Sequence, residues 1–195
     1  RGLPLVTLSF PLGGYPTPKL DAAEIEKRSQ QALRDGTLQE GDFCYAHRPF
    51  VDFLKVGGSN VQHIFDADSS TSATMTQANI AGRTSLLRLL RFVRTLPGCE
   101  GVRLVKMQPE TAVRESYRIV GEVLVTKEDY LSGRVYEDAI GHSFYPIDIH
   151  DRQGVEPAPL NRGTVPTVPL RALVPQGSRN LLAAGRSICS DRAAN

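Results

Sequence analysis

A chain of 195 residues, 41% hydrophobic and 23% charged, can bury a real core as one ordinary domain or a compact pair. Its net charge of +2, with acidic and basic residues interspersed, offers no field that would draw it to nucleic acid, and no apolar run is long enough to span a bilayer. Cys44, Cys99 and Cys189 lie far apart without a CxxC pair, a spacing that disfavours a disulfide framework or zinc site and reads as small buried hydrophobes.

Residues 6–10 alternate weakly through Thr, Val and Phe and predict a strand, followed by a turn-rich loop over 11–18. Asp21, three residues before Glu24, opens a helix running through Ile25, Ala32 and Leu33 to Gly36. Residues 42–53 are aromatic and lean towards strand, and 60–65 predict a short one. The hydroxyls of residues 69–72 cap the longest helix, placed over about 73–95, where Leu86, Leu87, Leu90 and Val93 recur at helical spacing. Gly82 inside it costs about 1 kcal/mol relative to Ala and marks a potential break. From Val102 the pattern turns to strand, over 102–105, 112–116 and 117–125. Thr126 with Asp129 reads as the cap of a single helical turn ending at Gly133. Residues 145–150 read as a strand, 151–167 as a Pro/Gly-rich loop, and 180–185 as a buried apolar strand running into a Gly-Arg turn. Helices in front and strands behind predict an α+β fold, a mixed or antiparallel sheet with two main helices.

No GxGxxG and no GxxxxGK[ST] occurs, so the residues lack the usual glycine cradle for a nucleotide pyrophosphate. His47, His63, His142 and His150 share no metal-binding spacing, and there is no GxSxG elbow. Asp148 and His150 stand two apart on one strand face. They read either as a surface pair or as a carboxylate orienting an imidazole for proton transfer. Arg114, Ser116 and Arg118 share another face; a guanidinium there suits a substrate carboxylate, the negative charge of a reduced cofactor, or simply a cross-strand salt bridge. Arg83, Arg88, Arg91 and Arg94 give the long helix a solvated face, with a polyanion-binding face as the sharper alternative.

The order of motifs goes further than any one of them. Residues 112–122 (AVRESYRIVGE), 124–129 (LVTKED), 143–150 (SFYPIDIH), 168–175 (VPLRALVP), 180–188 (NLLAAGRSI) and 190–192 (SDR) follow one another. That succession resembles the bacterial FAD-dependent oxidoreductases of the glutathione-reductase-like superfamily, in the xanthan-lyase-like group. The specific match covers about 62–195. The resemblance implies an internal piece: a substrate domain over 1–178, then the start of a returning FAD-binding segment over 179–195, with both ends of the chain reading as cut. It implies that Gly185, Arg186, Ser187, Asp191 and Arg192 lie on the flavin side and that His150, Asp148, Tyr145 and Arg114 face the substrate, with Arg171 as an electrostatic partner. FAD is the implied cofactor and a small polar molecule the implied substrate. Without the pyrophosphate cradle these residues alone are expected neither to retain FAD nor to be active. A non-catalytic carbohydrate-binding or scaffold domain, with Tyr136, Phe144 and Tyr145 lining a groove, stands as the alternative.

Overall fold

A computed structural model describes residues 6–43, 49–59, 62–113, 117–151 and 154–194. The chain divides into two compact units, residues 1–114 and 115–195, and both are α+β.

In the first unit β1 (Phe10–Gly13) is the central strand of a small antiparallel sheet. The expected strand over 6–10 therefore runs later than its composition predicts. Val6 and Thr7 make only single bridges, to Ile64 and Ala112. Pro11 sits inside the ladder, where it has no N–H to give, but its carbonyl accepts from the Val105 amide at 3.0 Å. Helix α1 (Ala22–Arg34) begins as the capping pair predicts, since the Asp21 carboxylate accepts from the amides of Ala23 and Glu24. It buries Ile25, Ser29 and Ala32, which recur at helical spacing along one face.

The aromatic stretch expected to be strand is instead helical where it is described. Pro49 precedes α2 (Phe50–Lys55), and Phe50, Phe53 and Leu54, at i, i+3 and i+4, all face the core. Phe50 meets Phe43 edge to face at 4.6 Å and Phe92 at 5.5 Å. Each such contact adds about 0.5–1.5 kcal/mol beyond area burial, which outweighs the strand preference of isolated aromatic residues. The sheet is completed by β2 (Gly58–Ser59) and β3 (Arg103–Leu104), one on each side of β1, with Phe10 opposite Ser59 and Leu12 opposite Leu104. Between them lies α3 (Ser72–Val93), capped by Thr71.

Gly82 does not break α3. A β-carbon there would stand 2.9 Å from Ile64 Cδ1 and 3.0 Å from Thr111 Cγ2, so the glycine lets the helix approach its neighbours closely. Leu86, Leu89, Leu90, Phe92 and Val93 join α1, α2 and β1 residues in one apolar cluster. Full burial of such side chains contributes about 1.5–3 kcal/mol each.

The second unit is held differently. Among its described residues few hydrophobic side chains are buried, namely Val125, Tyr136, Ile147, Ala172 and Cys189. Helix α4 (Lys127–Ser132) has the expected Thr126–Asp129 capping box and ends at Gly133. Beyond it, β4 (Ala139–His142) pairs antiparallel with a later strand, and β5 (Ile147–Asp151) forms a hairpin with β6 (Gly154–Ala158). Part of the loop expected over 151–167 is thus strand. The partner of β4 is β7 (Thr167–Pro169).

Several expected strands are not found among the described residues. Of the run expected over 60–65, residues 62–65 carry only the Ile64 bridge to Val6, and residues 117–125 are irregular, with single bridges joining Gly121 to Pro175 and Val125 to Ser190. Residues 180–184 carry no ladder, and Leu181 and Leu182 are 59% and 60% exposed. Strand propensity needs a partner edge, and none of the described residues supplies one to this run. Among the described residues no helix is long and apolar enough to cross a membrane.

Candidate functional site

The residues singled out in the sequence lie mainly in the second unit. Asp148 and His150 are both in β5, opposite Pro157 and Val155, and strand alternation puts these two positions on one face. Asp148 is half-buried. Arg114, with Glu115 and Ser116, lies outside the described residues.

Just before β5, Phe144 and Tyr145 are 72% and 68% exposed. Their backbone is stapled from α4: the Tyr130 hydroxyl donates to the Tyr145 carbonyl at 2.7 Å and lies 2.5 Å from Ser143 Oγ. No sequence pattern announced this staple, because Tyr130 lies on a short helix with nothing to mark its partner.

Tyr136 does not line a groove with them. It is buried, and its hydroxyl donates to Asp129 at 2.9 Å. Arg134 donates to the other oxygen of Asp129 at 2.8 Å and covers the Tyr136 ring at 4.5 Å. The Arg134 hydrogen bond, aided by Thr126 and Tyr136, holds the Asp129 carboxyl far below the ordinary carboxylate range. Burial first, and the adjacent carboxylate second, push the Tyr136 phenol up. The cap that the sequence disclosed thus serves as the anchor of a polar network.

Arg171 is committed to structure as well. Its Nε and Nη2 fork onto Asp138 at 3.1 and 3.0 Å, and its amide donates to the same carboxylate. That pairing holds the Asp138 carboxyl down at about 2.

Gly185, Arg186 and Ser187 form an exposed single 3-10 turn, whose Ser187 carbonyl accepts from the Ile119 amide at 3.0 Å. Nothing stands within 4 Å of where a Gly185 β-carbon would be. Ser190 Oγ is buried and without a hydrogen-bond partner among the described residues. Arg192 is exposed, whereas Asp191 accepts three backbone N–H bonds, from Lys127, Ala193 and Ala194.

In the first unit, the arginine face of α3 needs a correction. Arg88 is not simply solvated: it forks onto the buried Asp42 carboxylate, which also accepts from Ser85 Oγ at 2.6 Å. The Asp42 hydrogen bonds raise the Arg88 guanidinium above its usual value. Arg91 and Arg94 remain exposed.

Among the described residues no three His, Cys, Asp or Glu side chains gather to hold a metal ion. The polar clusters of the second unit knit backbone together and leave an exposed aromatic pair and an open Gly-Arg-Ser turn at its surface. The class follows from comparison: the chain belongs to the FAD dependent oxidoreductase family, whose model matches residues 6–195. The complete protein is accordingly a flavin oxidoreductase with FAD as its cofactor. No curated protein and no solved structure matches the chain.

At the Gly185 turn a cofactor would meet no obstruction, since nothing stands within 4 Å of a β-carbon there, and the buried Ser190 hydroxyl has no hydrogen-bond partner among the described residues. The pyrophosphate is another matter, since no GxGxxG is present to cradle it.

Proposed function

We propose that these residues are the substrate side of a flavoenzyme that oxidises a small polar molecule, hydroxyl-bearing or carbohydrate-related, with the dinucleotide cradle supplied by sequence outside them. The observation that carries the reading is the family match over 6–195 in a chain with no GxGxxG of its own. FAD supplies a hydride acceptor when bound. His150 would take the proton of a substrate hydroxyl oxidised there. Asp148, two residues earlier in β5, would orient that imidazole. Tyr145 is presented towards substrate on its stapled loop. Arg114 steadies negative charge, and Arg171 does so from its seat on Asp138. Gly185, Arg186, Ser187 and Arg192 flank the flavin.

The test is anaerobic reduction of the bound flavin in the complete protein by a panel of polyols and sugars, followed at the visible flavin band. His150→Ala should slow reduction by about 10²–10⁴-fold, the usual worth of a general base. An unchanged rate removes His150 from the chemistry.

The exposure of Phe144 and Tyr145 favours one second reading, a sugar-stacking platform that works without flavin. A sugar-dependent rise in the melting temperature of the flavin-free chain supports it, and no shift dismisses it.

A further inference from the structure

Asp191 was expected to touch the cofactor, but its surroundings describe another task. One carboxylate oxygen accepts from the Ala193 and Ala194 amides at 2.9 and 2.8 Å, and the other from the Lys127 amide at 2.6 Å. Three of its roughly four acceptor sites are therefore filled by backbone. Its own amide donates to the Val125 carbonyl at 2.9 Å. The residues just before it are laced on both sides. Val125 N donates to Cys189 O at 3.0 Å, Cys189 N to Ala172 O at 2.8 Å, and Ile119 N to Ser187 O at 3.0 Å.

We propose that Asp191 is a positioning residue. It ties the segment just past the Gly185–Ser187 turn to the first residue of α4, 64 positions before Asp191 in sequence, and so helps to fix where that turn presents itself. This rests on the reading that the turn faces the flavin. The carboxylate reaches the cofactor only through the backbone it holds.

Two variants of the complete flavoprotein separate positioning from contact. Asp191→Asn keeps one oxygen for Ala193 and Ala194 but turns an amide donor towards the Lys127 N–H, so the tie to α4 is lost. Against a ribityl or ribose hydroxyl, an amide bonds about as well as a carboxylate. Lys127→Pro removes the N–H itself without touching Asp191. Proline suits the first residue of a helix, and Thr126, at φ −95° and ψ 163°, already has the extended backbone that precedes proline.

Positioning predicts that both variants weaken FAD binding by about tenfold, the worth of one charge-assisted hydrogen bond. At saturating FAD both should also shift the visible band of the bound flavin, which lost stability alone does not do. Asp191→Asn should speed hydrogen exchange at the Lys127 amide by about tenfold. The proposal is overturned if either variant binds FAD within about twofold of the parent with an unshifted band. Unchanged Lys127 exchange in Asp191→Asn overturns it too. If the parent protein binds no FAD, the flavin reading fails and the positioning role with it, while Lys127 exchange in the 195-residue chain still reports whether the tie exists.

Discussion

Replacing Arg88 by methionine isolates a charge pair that the first unit has taken into its interior. Asp42 has no exposed surface, and its two oxygens accept from the Gln39 amide at 2.8 Å, Ser85 Oγ at 2.6 Å and two nitrogens of Arg88. The Arg88 side chain is 26% exposed, so water screens the pair in part. Arg88→Met keeps the apolar stem and removes the guanidinium, leaving a buried carboxylate with two neutral donors. Breaking a buried pair by removing one partner costs about 3–5 kcal/mol. Partial exposure and the two surviving donors place this case at the lower end, about 3 kcal/mol, which is about a hundredfold in an equilibrium. Because the chain has two units, a single melting curve would mix them. Native-state hydrogen exchange at Leu89 and Leu90 reads α3 alone, and should quicken by about a hundredfold. Adding Asp42→Asn should recover much of the loss, since a neutral side chain at 42 no longer needs the cation. The reasoning fails if the single variant changes exchange by less than about threefold, or if the double variant is no better than the single.

The second unit should loosen in acid. The carboxyls of Asp129 and Asp138 are held below their unfolded values by Arg134 and Arg171, so their contribution is complete above the ordinary carboxylate value. The share of Asp138 is lost as pH falls from about 4 towards about 2, and that of Asp129 goes on being lost at still lower pH. The near-ultraviolet signal of Tyr136 and the Asp138 carboxyl resonance should follow that loss, and no change in either between pH 5 and 2 would refute it. Because the ion pairs are largely exposed, added salt should shrink the effect. Gly121→Val should be poorly tolerated. A β-carbon at 121 stands 2.7 Å from Cys189 Cβ and 3.2 Å from the Ala172 carbonyl, so the added side chain forces apart the segments that carry the Gly-Arg-Ser turn. A destabilisation of about 1–3 kcal/mol is expected from chemical denaturation, and a neutral outcome would contradict the close approach.

What could be read in the sequence was local. The Asp21 cap, the leucine spacing of α3 (apart from Leu87, which is exposed) and the Thr126–Asp129–Gly133 helical turn each need only neighbours within a few residues, and each is present. Signals that depend on a distant partner misled. Helical spacing grouped Arg88 with Arg91 and Arg94, but Asp42, 46 residues earlier, draws it out of solvent. Aromatic content suggested a strand where Phe50 and Phe53 fill the core from a helix after Pro49. Of the candidate site, the sequence located the Asp148–His150 face and the Gly185–Ser187 turn. It could not reveal that Arg171 is held by Asp138 or Tyr145 by Tyr130, because no local pattern marks either partner.

The exposed run at 180–184 has a practical consequence. Leu181 and Leu182 stand exposed in a run that joins no strand ladder, an arrangement open to pairing with a strand of another molecule. A preparation of these 195 residues is therefore disposed to self-associate as it is concentrated. Its hydrodynamic size belongs on a dilution series, with a charged substitution at Leu182 as the control, before any stoichiometry is assigned to the native protein.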